Sequence, residues 1–463
     1  MHKTAEQIQR DLLRPLFHTG GWYWIAVGVS SSLVLAGVAT FGYQVYTGIG
    51  VWGLNSPVYW AFDITNFVFW IGISHAGTLI SAILRLANAT WRRPVTRCAE
   101  AITVFALSIG AIIPVCHIGR PWLAYYLIPY PSERHIWPNF RSPLVWDFFA
   151  ILTYLTGSIT FLLLPIIPDC AAVRDAATGW RKKVYGVLSL GWEGTPRQWH
   201  RLESAMYAMA IIITPVAISV HTIVSWDFAM TLVPMWHSAI FGPYFVVGAI
   251  FSGTAALILA MAFLRKLLHL EEYLQPIHFE NLGKLLLTLS ALWFYFTFAE
   301  RLTIWYGNNA SDMAVFWLTI REKFAPLFWT MVVCNFIIPL PLLGIKRLRT
   351  ITGTVIAAST IVVGMWIERF LIVVPSLEHK FLPYSWGSYR PTWVEITLMA
   401  SSFGLMVLLY LLFSKFVPII SMWELKAGMR MVPPVRHRAA SVLAGAPASS
   451  GLDKEALAPD IPT

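Results

Sequence analysis

The 463-residue chain is 57% hydrophobic and only 13% charged, about half the charged share of a soluble domain, which excludes a water-soluble globule. Its net charge of +10 does not point to nucleic acid, because the bases sit in short loops between long apolar runs. Cys98, Cys116, Cys170 and Cys334 show no CxxC spacing, so no disulfide framework, thiolate metal site or c-type haem attachment is indicated.

Residues 1–22 mix acids and bases at helical spacing and lack the apolar core of a cleavable signal, which predicts a cytoplasmic amphipathic lead-in. About 20 apolar residues cross a bilayer core, and ten segments qualify. Their approximate limits are 23–46, 60–84, 98–118, 144–167, 204–226, 239–264, 283–305, 326–345, 351–374 and 393–416. The fifth carries Pro215 and His221 and has the weakest pattern. The third carries Pro114, tolerated where neighbouring helices satisfy the freed carbonyl. The expected fold is therefore all-α, a ten-helix transmembrane domain over 23–416. Spans two to five and six to nine are expected to form two four-helix bundles (60–238 and 239–374), flanked by the first and last spans. Residues 417–463, rich in Ala, Ser and Pro from about Pro433, read as a largely irregular cytoplasmic tail.

Bases set the orientation. One set of loops holds Arg85, Arg92, Arg93 and Arg97, then Arg174, Arg181, Lys182, Lys183, Arg197 and Arg201, then Arg265, Lys266 and Lys284, then Lys346, Arg347 and Arg349. The alternate loops hold few: Arg120, Arg134, Arg141, Arg321, Lys323, Lys380 and Arg390. The rule puts both termini in the cytoplasm, and ten spans satisfy the even count this demands. The opposite loops are rich in Trp, Tyr, Pro and Gly, and interfacial anchoring accounts for most of the 22 tryptophans.

The most unusual stretch is Ile112–Asp147, in which His117, Arg120, Arg134, His135, Arg141 and Asp147 are interrupted by Pro129, Pro131, Pro138 and Pro143. Proline-broken polar and aromatic backbone between spans lines a cavity or meets another protein. With the orientation above, His117, Asp147, Asp227, Asp63 and His237 all reach the outer level. Intramembrane charge costs roughly 2.5–3.5 kcal/mol on insertion scales, so such residues need a partner or a purpose. A histidine facing a carboxylate suits quinol oxidation, which needs an acceptor at each hydroxyl and a route for two protons. The plain alternative is a structural His117–Asp147 pair, or Asp147 capping the fourth span.

His75 lies mid-span between Gly72 and Gly77 and reads as a packed polar residue, a proton relay or a haem ligand. A cytochrome b pattern wants paired histidines on each of two helices, whereas His75, His117 and His221 stand alone in their spans. Glu300–Arg301 and Glu368–Arg369 place adjacent opposite charges on the seventh and ninth spans. Helical neighbours point about 100° apart, so each charge is expected to pair with another helix, or to line a water-filled proton path together with Glu100.

ITNFVFWIGISHAGTLISAIL (64–84), HIGRPWLAYYLIPYP (117–131) and WPNFRSPLVWD (137–147) resemble the NrfD/polysulfide-reductase membrane subunits, and within them the C subunit of alternative complex III. The resemblance covers most of residues 20–420. It implies a quinol-oxidising, multi-pass subunit of the bacterial inner membrane that carries no haem, metal or iron–sulfur cluster itself. It implies a quinol site at His117, Asp147 and Asp227, with Arg120, His135 and Arg141 matched only to motif text. The quinone is expected to be menaquinone rather than ubiquinone. Expected partners are a periplasmic iron–sulfur subunit, multihaem and monohaem cytochrome c subunits, a paralogous NrfD-like subunit and lipids. Proton translocation is proposed for the family, with Asp63, His75, Glu100, Glu300 and Glu368 the candidates here. The alternatives are a membrane anchor of a polysulfide- or DMSO-reductase-type complex, a non-redox proton-conducting paralogue, a secondary transporter and a haem-bearing subunit.

Overall fold

The computed structural model describes residues 4–127 and 140–431. Among these, ten helices are long and apolar enough to cross a membrane: Gly21–Thr47, Phe62–Leu86, Thr96–His117, Pro143–Ala176, Pro196–Ala229, Phe241–Leu267, Pro276–Gly307, Ala325–Gly344, Ile351–Glu378 and Trp393–Phe416. We number them spans 1 to 10. Helices are the expected outcome because each must satisfy its own backbone in hydrocarbon. Pro143, Pro196 and Pro276 stand at the first helical position of spans 4, 5 and 7, where the missing N–H costs nothing. Spans 5 and 7 run well past the predicted limits, into the base-rich loops.

Spans 2 to 5 close a four-helix bundle through contacts of 2 with 3, 3 with 4, 4 with 5 and 5 with 2. Spans 6 to 9 form a second bundle, with 6 packed on 7 and 9, and 8 on 9. Span 2 joins the two bundles by packing on spans 6 and 9. Spans 1 and 10 pair with each other, and span 10 lies against span 3. Enclosure follows from this order: 87% of span 2's apolar window is buried, against 17% for span 1, so span 1 is exposed along most of its length. Gly77 allows the closest approach of spans 2 and 3, since a β-carbon there would collide with the Ala99 carbonyl and the Thr103 hydroxyl.

The segments around the spans are ordered by particular contacts. The lead-in is a helix, Ala5–Phe17, started by a reciprocal Thr4–Gln7 capping box and burying Ile8, Leu12, Leu13 and Leu16. Within the largely irregular tail expected over 417–463, Met422–Met431 is a helix. Its cause is a buried charge: Glu424, 3% exposed, meets Arg85 at 2.5 Å and Arg92 at 3.2 Å. Beside it Arg97 pairs with Asp169 and donates to the carbonyls of Pro165 (2.6 Å) and Pro418 (3.1 Å). Guanidiniums at the base-rich ends of spans 2 and 3 thus tie the chain end onto the first bundle. Residues 432–463 lie outside the described chain.

Candidate functional site

At the opposite end of the first bundle four helix termini come together. Asp63 is in the first turn of span 2, His117 is the last residue of span 3, Asp147 follows Pro143 by one turn in span 4, and Asp227 lies near the end of span 5. The three carboxyls are 5–6% exposed, and a lone ionised carboxylate so placed is strongly disfavoured. Two pairs result. His117 Nδ1 meets Asp63 Oδ2. Asp147 and Asp227 hydrogen-bond to one another. A carboxylate can only accept, so that bond exists only while the pair keeps at least one proton.

This pairing differs from a His117–Asp147 contact read along the chain. Asp63 opens the helix that packs most extensively on span 3, so it takes the imidazole. Span 4 turns towards span 5, where Trp146 and Trp226 meet edge-to-face at 6.0 Å, and this brings Asp147 to Asp227. Gln44 of span 1 donates to the Cys116 carbonyl at 2.6 Å, and the Trp52 ring lies 6.3 Å from the imidazole. Gly119, with φ of 71°, turns the chain immediately beyond, a conformation that favours glycine.

Acceptor capacity remains. Asp63 Oδ1, Asp147 Oδ1 and Asp227 Oδ1 are buried without a hydrogen-bond partner among the described residues. His117 is 23% exposed, and its Nε2 makes no hydrogen bond among the described residues. Arg120 and Arg141 are exposed beside the rim. His135 lies in 128–139, outside the described residues. Two cavities, one of about 1280 Å³ and one of about 20 Å³, lie elsewhere and are not lined by these four residues.

The proton-path candidates fall into two groups. His75 is fully buried, gives its Nδ1–H to the Ile71 carbonyl at 2.6 Å and packs 4.8 Å from the Tyr154 ring. Its nearest imidazole is His221 of span 5, at 4.6 Å between ring centres; two histidines that stand singly in sequence meet across helices. Hydropathy could not reveal that. Glu100 accepts from Ser81 at 2.7 Å near the base-rich end. Asp63 and His75 are 12 residues apart on one helix, roughly 18 Å, so only intervening water could link them. In the second bundle Glu300 accepts from Ser238 and Glu368 from Trp293, each at 2.7 Å. Arg369 departs from the expected interhelical pairing by reaching back to Glu368 at 3.4 Å while its guanidinium lies over the Phe245 ring. Arg301 contacts Met235 and the Phe328 ring. Glu300, Arg301, Glu368 and Tyr244 surround the 20 Å³ hollow, which has room for about one water.

A model of the family described as "Polysulphide reductase, NrfD" matches residues 50–379. The chain belongs to the NrfD family. Two relatives extend the match beyond that core. One, from Halobacterium salinarum, is provisionally assigned as the C-type membrane component of a dimethyl sulfoxide reductase; it is 24% identical over 429 residues, 87% of this chain and 92% of that protein. The other is the C component of selenate reductase from Mesobacillus selenatarsenatis, 22% identical over 412 residues, 85% and 93% of the two chains. Both alignments run across nearly the whole NrfD-type chain, so the membrane domain is shared as a unit. The four-residue site and the buried histidine pair fall inside the matched core. Among the described residues no group of three or more His, Cys, Asp or Glu side chains is arranged to hold a metal.

Proposed function

We propose that this NrfD-family protein is the quinol-oxidising membrane subunit of a reductase-type complex of the bacterial inner membrane, anchoring a catalytic partner through an iron–sulfur subunit. The observation that carries this reading is the pair of proton-accepting constellations, His117–Asp63 and Asp147–Asp227, at one end of one bundle. The relatives' reductase names support the reductase assignment over an alternative complex III.

The chemistry asks each group for one task. Quinol becoming quinone releases two protons and two electrons. His117 Nε2 accepts one hydroxyl proton, and the Asp63 carboxylate stabilises the imidazolium at Nδ1. The second proton goes to the Asp147–Asp227 pair, whose Oδ1 atoms are buried without a partner among the described residues. The electrons pass to the iron–sulfur partner docked at the same end. Arg120, His135 and Arg141 are proposed to border the entrance, and menaquinone is the proposed quinone. Asp63, His75, Glu100, Glu300 and Glu368 remain the candidates for proton movement, with His221 added beside His75.

The second reading, alternative complex III, is favoured by the text of HIGRPWLAYYLIPYP and WPNFRSPLVWD. Affinity purification of the tagged chain followed by mass spectrometry separates the two. A molybdenum-cofactor catalytic subunit with an iron–sulfur subunit supports the reductase complex. Multihaem and monohaem cytochrome c subunits with an NrfD-like paralogue support the other. Neither set, with no extractable quinone, refutes both.

A further inference from the structure

Between spans 4 and 5, at the base-rich end, the chain forms a further helix, Gly179–Leu188, about 15 Å long. Two contacts fix its level. The Tyr185 hydroxyl donates at 2.8 Å to the carbonyl of Phe416, the last residue of span 10. Arg181 donates to the Leu16 carbonyl at 3.3 Å and lies over the Phe17 ring, at the end of the N-terminal helix and just before span 1 begins at Gly21. The helix therefore lies level with the ends of spans 1 and 10, where hydrocarbon gives way to headgroups.

Its surface is divided. At about 100° per residue, Tyr185, the buried residue, faces the fold. Trp180, Val184, Val187 and Leu188 share a different arc, and all four are exposed, Trp180 by 63% and Val187 by 74%. Leu190 extends this apolar strip just past the helix end and is also exposed. Lys183 borders the arc, and Lys182 lies farther round. Both lysines are exposed and form no ion pair among the described residues. The helix contains no acid, and Asp175 before it is already held by Arg174 at 2.8 Å.

We propose that Gly179–Leu188 is a membrane-surface helix that lays its Trp180–Val184–Val187–Leu188 face into the leaflet and gathers anionic phospholipid through Lys182 and Lys183. Tryptophan and aliphatic residues on one side, with lysines on another, suit a helix lying in the plane of a bilayer surface. The tryptophan falls at the depth where that ring anchors. A protein partner fits less well, because lysine is depleted from protein–protein interfaces. The helix closes the hairpin of spans 4 and 5, whose other ends carry Asp147 and Asp227. Lipid binding here is independent of the chemistry proposed for those carboxyls.

The test places a photo-reactive diazirine amino acid at Val187 in the intact complex, reconstituted in nanodiscs of equal parts phosphatidylglycerol and phosphatidylcholine. Mass spectrometry of the irradiated chain identifies what is captured. Lipid adducts are expected, with phosphatidylglycerol favoured about fivefold, the factor contributed by one lysine near an anionic surface. Lys182→Gln/Lys183→Gln should return the ratio to about one, and both side chains are exposed, so the variant should assemble normally. In the unaltered complex, raising the salt to about 1 M should also lower the ratio, because the screening length shrinks to about 3 Å. A ratio of one without these changes, a preference that survives the double variant or the salt, capture of a polypeptide, or no lipid adduct at all overturns the proposal.

Discussion

Asp147→Asn and Asp227→Asn, singly and together, test whether the two carboxyls work as one proton-accepting unit. The structure supplies the magnitudes. Both groups are 6% exposed and hydrogen-bonded to each other, and an asparagine amide can still donate to the remaining carboxylate. The fold should therefore lose less than about 1.5 kcal/mol per variant, the net worth of an ordinary hydrogen bond. Turnover should fall far more, because removing a positioned proton acceptor costs about 10²–10⁴-fold. If the pair shares one task, the second substitution adds little to the first, as for other residues that act together. The assay is quinol oxidation by the purified complex with an artificial electron acceptor. A thermal melt and a count of co-purifying subunits establish that each variant is assembled. Two results would refute the reasoning: more than half of wild-type turnover in Asp147→Asn, or a double variant whose loss is the product of the single losses.

The other predictions address the elements around this pair. Asp63→Asn removes the charge facing His117 and should lower turnover about 10–100-fold while His117 keeps a neutral partner of the same shape; Asp63→Glu should restore part of it, and unchanged rates in both variants would dissociate Asp63 from the chemistry. Glu424→Ala leaves the partly buried Arg85 and Arg92 without their counter-charge and should cost about 1.5–3 kcal/mol, the worth of a hydrogen bond to a charged group. Limited proteolysis should then release the chain end beyond span 10 while wild type resists, and equal resistance would argue against the anchoring role. His379, just beyond span 9, stacks on Trp386 at 3.9 Å and 7°, and burial holds its pKa below the ordinary 6.5 despite the nearby Glu378 carboxylate. The unfolded chain therefore takes up the proton first, so stability present above about pH 6.5 declines as the pH falls below it. The melting temperature should drop between about pH 7.5 and 5.5, and His379→Phe should flatten part of that slope.

Much of the architecture was legible because a bilayer imposes its thickness on the chain. Each apolar run of about 20 residues had to become a helix, and alternating base content predicts the direction of each span. The ends of spans 2, 3, 4 and 5 away from the base-rich loops could therefore be placed at one level from residue order alone, which is why Asp63, His117, Asp147 and Asp227 were recognisable as one constellation. Helix ends were less legible. Spans 5 and 7 continue into loops where base content falls outside the hydropathy signal, and Met422–Met431, too short to read as a span, is held by Glu424 together with Met422 and Leu425.

The sequence by itself determined that the chain spans the membrane ten times, which residues share each leaflet, and where ionisable groups are concentrated. Tertiary structure decided who pairs with whom. His117 takes Asp63 rather than Asp147, Asp147 turns to Asp227, His75 meets His221, and Arg369 returns to its own neighbour Glu368. The reason is rotational. Spans that are apolar on every side give no periodic signal of which face points inward, so the azimuth of each polar side chain is fixed only when neighbouring helices pack and leave each buried charge a single place to find its partner.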